Sequence, residues 1–162
     1  SGKLFFDALG VLTQGTASGG GGSGLVYETG EYKPSSDVAQ PTINFANTHS
    51  DRPFVVLITD ITGNAPTSSS AVFWGIFNWY DINGTIYTAS STQQYARVQY
   101  TYVGTNGGQH GGMNVTSLKG TTSSALEYHL TSSYFKPYVY NTSRYWRSGR
   151  TYKWIAVWKP TT

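Results

Sequence analysis

Two short strings in the sequence combine side chains that can hold a sugar. Asn78-Trp79-Tyr80-Asp81 closes a long aromatic stretch, and Arg144-Tyr145-Trp146-Arg147 lies between two strand-like segments. A sugar ring presents apolar C–H faces and a rim of hydroxyls. Aromatic rings stack on the faces, while Asp, Asn, Gln, Arg and His bond to the rim. Trp79, Tyr80 and Asp81, with Arg144, Tyr145, Trp146 and Arg147, are therefore the candidate carbohydrate-binding residues. A loop Trp between two arginines suits a core poorly, and Trp, Tyr and Arg are enriched where proteins meet partners. Leaving Trp146 exposed forgoes roughly 1.5–3 kcal/mol of burial, so either a ligand or a neighbouring subunit should cover it. Guanidinium forks match carboxylate and phosphate, which points the tip toward an anionic or hydroxyl-rich surface. Phe73, Trp74, Ile76, Phe77, Trp154 and Trp158 read instead as sheet packing and core.

Catalytic chemistry finds less support. The chain has no cysteine, hence no disulfide, no thiol nucleophile and no Cys-type metal site. His49, His110 and His129 lack the pairwise spacing of a metal motif. No nucleophile elbow of the Gly-x-Ser-x-Gly type occurs. The loop Gly107-Gly108-Gln109-His110-Gly111-Gly112 lacks the Gly-Lys-Ser/Thr ending of a phosphate loop and precedes a strand rather than a helix. A glycosidase needs two carboxylates about 5–10 Å apart across a cleft, and the spacing of the eight acids favours no pair. The reading is a non-enzyme with no catalytic residue, no metal and no cofactor.

The elements that must carry these residues are strands. At 162 residues the chain is one domain long. Charged residues make up 12% and aromatics 15%, against an ordinary charged share of about 25%. That balance is the reverse of disorder. Thirteen Tyr, five Trp and nineteen Gly, with abundant Ser and Thr, stand where helix formers would. Segments 25–32 (broken near Gly30), 41–46, 53–60 (buried on both faces), 71–81, 85–90, 95–103, 113–118 and 124–131 read as strands. Asn83-Gly84 is the strongest hairpin signal. A last hairpin pairs 133–140 with 151–158 and projects the Arg144–Arg147 tip. Ala96, Val98, Tyr100 and Tyr102 should share one face, as should Tyr152, Trp154, Ala156 and Trp158. The prediction is an all-β, antiparallel β-sandwich over 25–162.

Residues 1–14 form an apolar arm, readable as a helix face, a strand or an extended segment. Residues 15–24 are a Gly/Ser-rich linker of native or grafted origin. An apolar arm on a flexible tether needs a surface, on its own domain or on a neighbouring subunit. The net charge is +3, and no acid follows Glu127, while six basic residues do. A nucleic-acid binder shows a denser basic stripe. No apolar run approaches the roughly 20 residues of a membrane span, so neither nucleic acid nor membrane insertion is expected.

Three segments carry a resemblance. They are the polar strand with Ile43-Asn-Phe-Ala, the apolar strand Arg52-Pro-Phe-Val-Val-Leu-Ile-Thr-Asp60, and the closing Gly149-Arg-Thr-Tyr-Lys-Trp-Ile-Ala-Val-Trp158. Together, over about 25–160, they resemble the C-terminal domains of bacteriophage tail-fibre and baseplate receptor-binding proteins. They are also similar to the H-type lectin sandwich. The resemblance implies an antiparallel β-sandwich, a homotrimer at the tip of a virion tail exposed at the extracellular surface, and binding of host cell-surface saccharides. Binding residues of that family vary too much to transfer, so the candidate site rests on the residue argument above. A structural trimerisation module without ligand, or a carbohydrate-binding module of a secreted enzyme, are the alternative functions.

Overall fold

The structure, a computed structural model, describes residues 3–6, 12–15, 26–78, 96–104, 109–110, 113–115, 126–139 and 144–159. Among them the elements are strands and a single helical turn: β1 (Lys3–Phe6), β2 (Leu12–Gly15), β3 (Val26–Tyr32), β4 (Ile43–Asn44), β5 (Val55–Asp60), β6 (Ala71–Asn78), β7 (Ala96–Val103), β8 (Gln109–His110), β9 (Met113–Val115), α1 (Leu126–His129), β10 (Tyr134–Phe135) and β11 (Tyr152–Trp158). The chain is all-β and its ladders are antiparallel. One seven-stranded sheet runs β3-β11-β5-β6-β7-β8, with β9 also paired to β7. β4 and β10 form a separate two-stranded ladder, and β1 and β2 form a hairpin of their own.

Period-2 patterning sorts the large sheet into two faces. Val56, Ile58, Trp74, Ile76, Val98, Trp154, Ala156 and Trp158 are buried on the inner face. Ile43 and Phe45, from the β4 segment, meet Leu130, Phe135 and Val139 above them to complete the core. Aromatic rings dominate this contact. Phe45 lies 4.9 Å from Trp158 and 5.7 Å from Phe135, and Phe135 packs edge-on to Trp154 at 5.5 Å. Such tilted pairs add about 0.5–1.5 kcal/mol each beyond their buried area.

The outer face is arranged in rows by the register. Tyr27, Val157, Val55 and Phe77 stand side by side across four strands, and Thr29, Ile155, Leu57 and Gly75 form the next row. Glu31, Lys153, Thr59 and Phe73 follow. Segment 53–60 is thus buried on one face only: Val56 and Ile58 are fully covered, while Val55 and Leu57 are half-buried. Phe77 remains 45% exposed.

Several sequence expectations need correction. Strand β3 runs unbroken through Gly30, because the missing side chain there makes room for the Trp154 indole. A Cβ at Gly30 would meet that ring at 2.6 Å. Residues 126–129 form a helical turn instead of part of a strand. Segments 133–140 and 151–158 do not form a hairpin. β10 pairs with β4, while β11 is inserted between β3 and β5. A centre position in the sheet satisfies the long Tyr152–Trp158 strand on both edges, which no single hairpin partner could do. The shared inward faces at 98–102 and 152–158 are as the alternation indicates: Val98, Tyr152, Trp154, Ala156 and Trp158 are buried, and Tyr100 and Tyr102 pack against the core. The Asn83-Gly84 turn and the 85–90 strand lie outside the described residues. Residues 3–6 and 12–15 resolve the three readings of the arm in favour of strands.

Candidate functional site

Three loops converge at the end of the sheet where β5 finishes and β11 starts. Residues 144–151 lead into β11, 61–70 connect β5 to β6, and 37–38 follow β3. Backbone bonds join them. Trp146 and Val38 exchange N–H···O bonds at 2.8 and 3.0 Å, and Tyr145 bridges to the strand start by bonding Ser69 O at 3.0 Å and accepting from Ala71 N at 2.8 Å. Ser69 adopts a left-handed backbone (φ 64°), a conformation that costs a non-glycine residue about 1–3 kcal/mol. Its carbonyl and hydroxyl both serve the 144–145 segment: Arg144 Nη1 donates to Ser69 Oγ at 3.1 Å.

The four candidate residues of this segment point to different places. Trp146 is fully buried. Its indole N–H donates to the Pro137 carbonyl at 2.6 Å, and its ring stands edge-on to Tyr152 at 4.8 Å. Neither a ligand nor a subunit covers it; the chain's own core does, so Trp146 is withdrawn from the candidate saccharide contacts. The expectation of a projecting tip requires the 133–140/151–158 hairpin, which does not form. Arg144 turns toward β7, its guanidinium 4.4 Å from the Tyr102 ring centre. Tyr145 is half-buried beside Arg147, 5.3 Å from that guanidinium. Trp79, Tyr80 and Asp81 lie outside the described residues.

Arg147 faces a cavity of about 430 Å³ lined also by Asp37, Thr62, Asn64, Thr67, Ser68, Ser148, Gly149 and Arg150. Its walls are fixed by two ion pairs. Arg147 Nη1 meets Asp37 Oδ2, and Nη2 donates to Ser68 O at 2.9 Å. Asp37 Oδ1 accepts from the Ser148 amide at 2.9 Å and from its hydroxyl at 3.3 Å. The Ser148 amide bond first, and the Arg147 guanidinium next, hold the Asp37 carboxyl below its usual range. Arg150 pairs through Nε with Asp60, both nearly buried, and its two other nitrogens bond to Asn64 Oδ1 at 3.1 Å and Asn64 O at 2.8 Å. Asp60 also caps the turn after β5, accepting from Thr62 N and Oγ1 at 2.9 and 2.6 Å. Gly149, at φ +77°, supplies the left-handed residue that turns the chain between the two arginines.

The expectation from the sequence is an anionic or hydroxyl-rich partner, and the two ion pairs bear on its anionic half. Each guanidinium already has a carboxylate. Lining the cavity are the hydroxyls of Thr62, Thr67, Ser68 and Ser148, the Asn64 amide and the two charge pairs; the Thr62, Thr67 and Ser148 hydroxyls and the Asn64 amide oxygen already bond within the chain. Sequence reasoning named Arg147 and missed Asp37, Asn64, Ser68 and Arg150. The available signal was the Gly63-Asn64-Ala65-Pro66 turn followed by three serines, which marked a loop without its partner.

A second cavity, about 170 Å³, lies near the start of β3 and the end of β11, lined by Val26, Thr48, His49, Ser50, Asp51, Trp158 and Lys159. His49 stacks on Trp158 at 3.7 Å and bonds Glu28 Oε1 at 2.7 Å. Glu28 further accepts from the Ala46 and Asn47 amides and the Asn47 side chain. Burial pushes the Glu28 carboxyl up, but these donors, His49 foremost, outweigh it and leave it below its usual range. The cluster fastens the 46–49 loop and leaves His49 committed to structural partners. His129 is buried with Nδ1 3.3 Å from the Lys136 carbonyl. Among the described residues no cluster of three His, Asp or Glu side chains could hold a metal ion, and no helix is long and apolar enough to cross a membrane.

The chain matches no protein-family model, no curated protein and no solved structure.

Proposed function

We propose that this chain is a non-enzymatic saccharide-binding domain of the H-type-lectin-like sandwich kind. It serves as the host-surface-binding end of a phage tail or fibre protein, and its site is the loop cavity around Arg147 and Arg150. The observation that carries this reading is the lining of that cavity. Hydroxyl, amide and guanidinium groups are held in place by ion pairs that cancel their charge, so the site suits a neutral, hydroxyl-rich ligand better than a phosphate or carboxylate. Placing such groups on loops carried by a rigid sheet is the usual way a binding surface is built. Arg144 and Tyr145 do not line the cavity and stay in the proposal as neighbours of Ser69 and Arg147. Trp79, Tyr80 and Asp81 stay in the proposal on the sequence argument alone.

Polar contacts to sugar hydroxyls are weak singly. A homotrimer presenting three such cavities gains the avidity that one lacks, by up to 10²–10⁴-fold in order of magnitude. This is the state proposed for the protein. The test is a glycan array probed with the full chain, alongside Arg147→Ala and Asn64→Ala variants and a sedimentation measurement of each. Binding of neutral glycans that both variants abolish, with assembly unchanged, supports the reading. Absence of glycan binding by an intact trimer favours the assembly module, and binding by a monomer favours the module of a secreted enzyme.

A further inference from the structure

The end of the sheet opposite the saccharide cavity carries a strap with a single fastening. Residues 46–50 run between β4 and β5, and the chain is pinned on either side of them. Before the strap, the Phe45 N–H donates to Ser133 O at 2.9 Å, and the buried Phe45 ring lies 4.9 Å from Trp158. After it, the Trp158 indole N–H donates to Asp51 O at 2.9 Å and the Phe54 N–H to Val157 O at 2.9 Å. Between these pins Ala46, Asn47, Thr48 and Ser50 are exposed and His49 is half-buried. Among the described residues, every hydrogen bond from the strap to another element ends on Glu28. What the strap covers is Trp158: the His49 ring lies 3.7 Å from the indole, with the planes 19° apart.

Four donors share the one carboxylate. Oε2 accepts from the Ala46 amide at 2.8 Å. Oε1 takes the Asn47 amide at 3.1 Å, the Asn47 side chain at 2.8 Å and His49 Nε2 at 2.7 Å. Glu28 stands buried on the inner face of β3, in a row continued by Ala156, Val56 and Ile76. Its neighbours on that face of β3 are Val26 and Gly30. The charged or titratable groups around the small cavity beside it are His49, Asp51 and Lys159, with Arg52 just past the strap. An ionised carboxylate suits this place because it only accepts. A proton on Oε2 would face the Ala46 amide, and one on Oε1 would face three donors. Donors buried without an acceptor cost free energy, which water repays once the strap swings out. His49 does not set the threshold, because its ring donates from Nε2 both as the Nε2–H tautomer and as the imidazolium. Burial pushes the Glu28 carboxyl up, but the strap's donors outweigh it and hold it below the ordinary 4.5. The fastening is therefore complete above that value and lost as pH falls through the lower one.

We propose that residues 46–50 are an acid-operated strap: Glu28 alone holds it closed over Trp158, and protonation of Glu28 releases it while the sheet stays folded. The test is hydrogen exchange in the full chain, comparing the Ala46 and Asn47 amides with those of Val56 and Ile58 in β5. In Glu28→Gln at pH 7, which mimics the protonated acid, protection of Ala46 and Asn47 should fall at least about ten-fold while Val56 and Ile58 keep theirs. In the unaltered chain, strap protection should stay level from about pH 7 to 5 and fall by a similar factor by roughly pH 3. Strap protection that survives both acid and Glu28→Gln overturns the proposal. So does a loss centred near pH 6, which would assign the fastening to His49, or a loss at strap and core together in acid, which would be global unfolding. Should Glu28→Gln fail to fold, the acid series on the unaltered chain decides alone. Neither arm uses a saccharide, so the strap and the saccharide cavity fail separately.

Discussion

Trp146 and its neighbours separate two roles that a string of residues cannot distinguish. The indole fills the core between Tyr152 and the 137–139 segment and donates to Pro137 O. Trp146→Ala therefore removes a buried aromatic and orphans a carbonyl, and should destabilise the fold by about 3–5 kcal/mol. A urea melt checks this, and loss below 1 kcal/mol contradicts the burial. The two ion pairs of the cavity should also differ. Asp60 and Arg150 are 5% and 11% exposed at the side chain, whereas Asp37 and Arg147 are 39% and 26% exposed. Asp60→Ala leaves a guanidinium buried without its carboxylate and should cost about 3 kcal/mol. Asp37→Ala should cost under about 1 kcal/mol of stability while weakening ligand binding, since water screens that pair. The pH dependence follows from Asp37. Its folded-state pKa is lowered from the ordinary 3.8, so its contribution is complete above that value and lost only as pH falls through the lower one. Saccharide binding should hold level from pH 7 down to about 4 and decline only below. A decline centred near pH 6 would point to a histidine instead.

Among the elements, two strand glycines offer a contrast that tests how the faces are built. Gly30 lies under Trp154, with ring atoms 2.6–2.8 Å from where a Cβ would sit. That indole is packed in the core and cannot retreat, so Gly30→Ala should cost about 1–3 kcal/mol by overpacking. At Gly75 the nearest atom is the end of the Leu57 side chain, at 2.8 Å on the half-open outer face. Leu57 can change rotamer there, so Gly75→Ala should cost less than Gly30→Ala, and denaturant midpoints of the two variants rank them. The same geometry shows what was legible in the sequence. Alternation exposed the inward faces of 98–102 and 152–158, because period 2 depends only on which side each residue takes. Strand partnership was not legible. Alternation is identical whether β11 pairs with β10 or lies between β3 and β5, so the pattern alone cannot place the loop that leads into β11. Gly30 looked like a break for the same reason: the sequence shows the missing side chain but not the indole that fills the gap. The cavity was illegible because its walls come from positions 37, 62–68 and 147–150, which only the β3-β11-β5 order brings together.

At the scale of the whole molecule the question is what the basic C-terminal third does. Its cations are largely engaged within the fold. Lys136 Nζ lies 5.0 and 5.4 Å from the Tyr128 and Tyr134 rings. Arg144 covers Tyr102, Arg147 and Arg150 hold Asp37 and Asp60, and Lys153 stands beside Glu31 in the sheet register. Phosphate recognition needs several uncompensated cations along one track, and each one neutralising a phosphate adds about 0.9 to the slope of log affinity against log salt. Arg147 and Arg150, already matched to carboxylates, release few counterions on meeting a polyanion. The net charge of +3 should thus give only diffuse attraction, screened over a Debye length of about 8 Å at physiological salt. The full chain should bind neither duplex DNA nor heparin above background at 150 mM salt, and its affinity for a neutral glycan should change less than about two-fold between 50 and 500 mM salt. A titration of both ligand classes across that range checks the two together. Polyanion binding with a steep salt slope would show that the arginines give up their carboxylates to a ligand, and the charge-neutral reading of the cavity would fall with it.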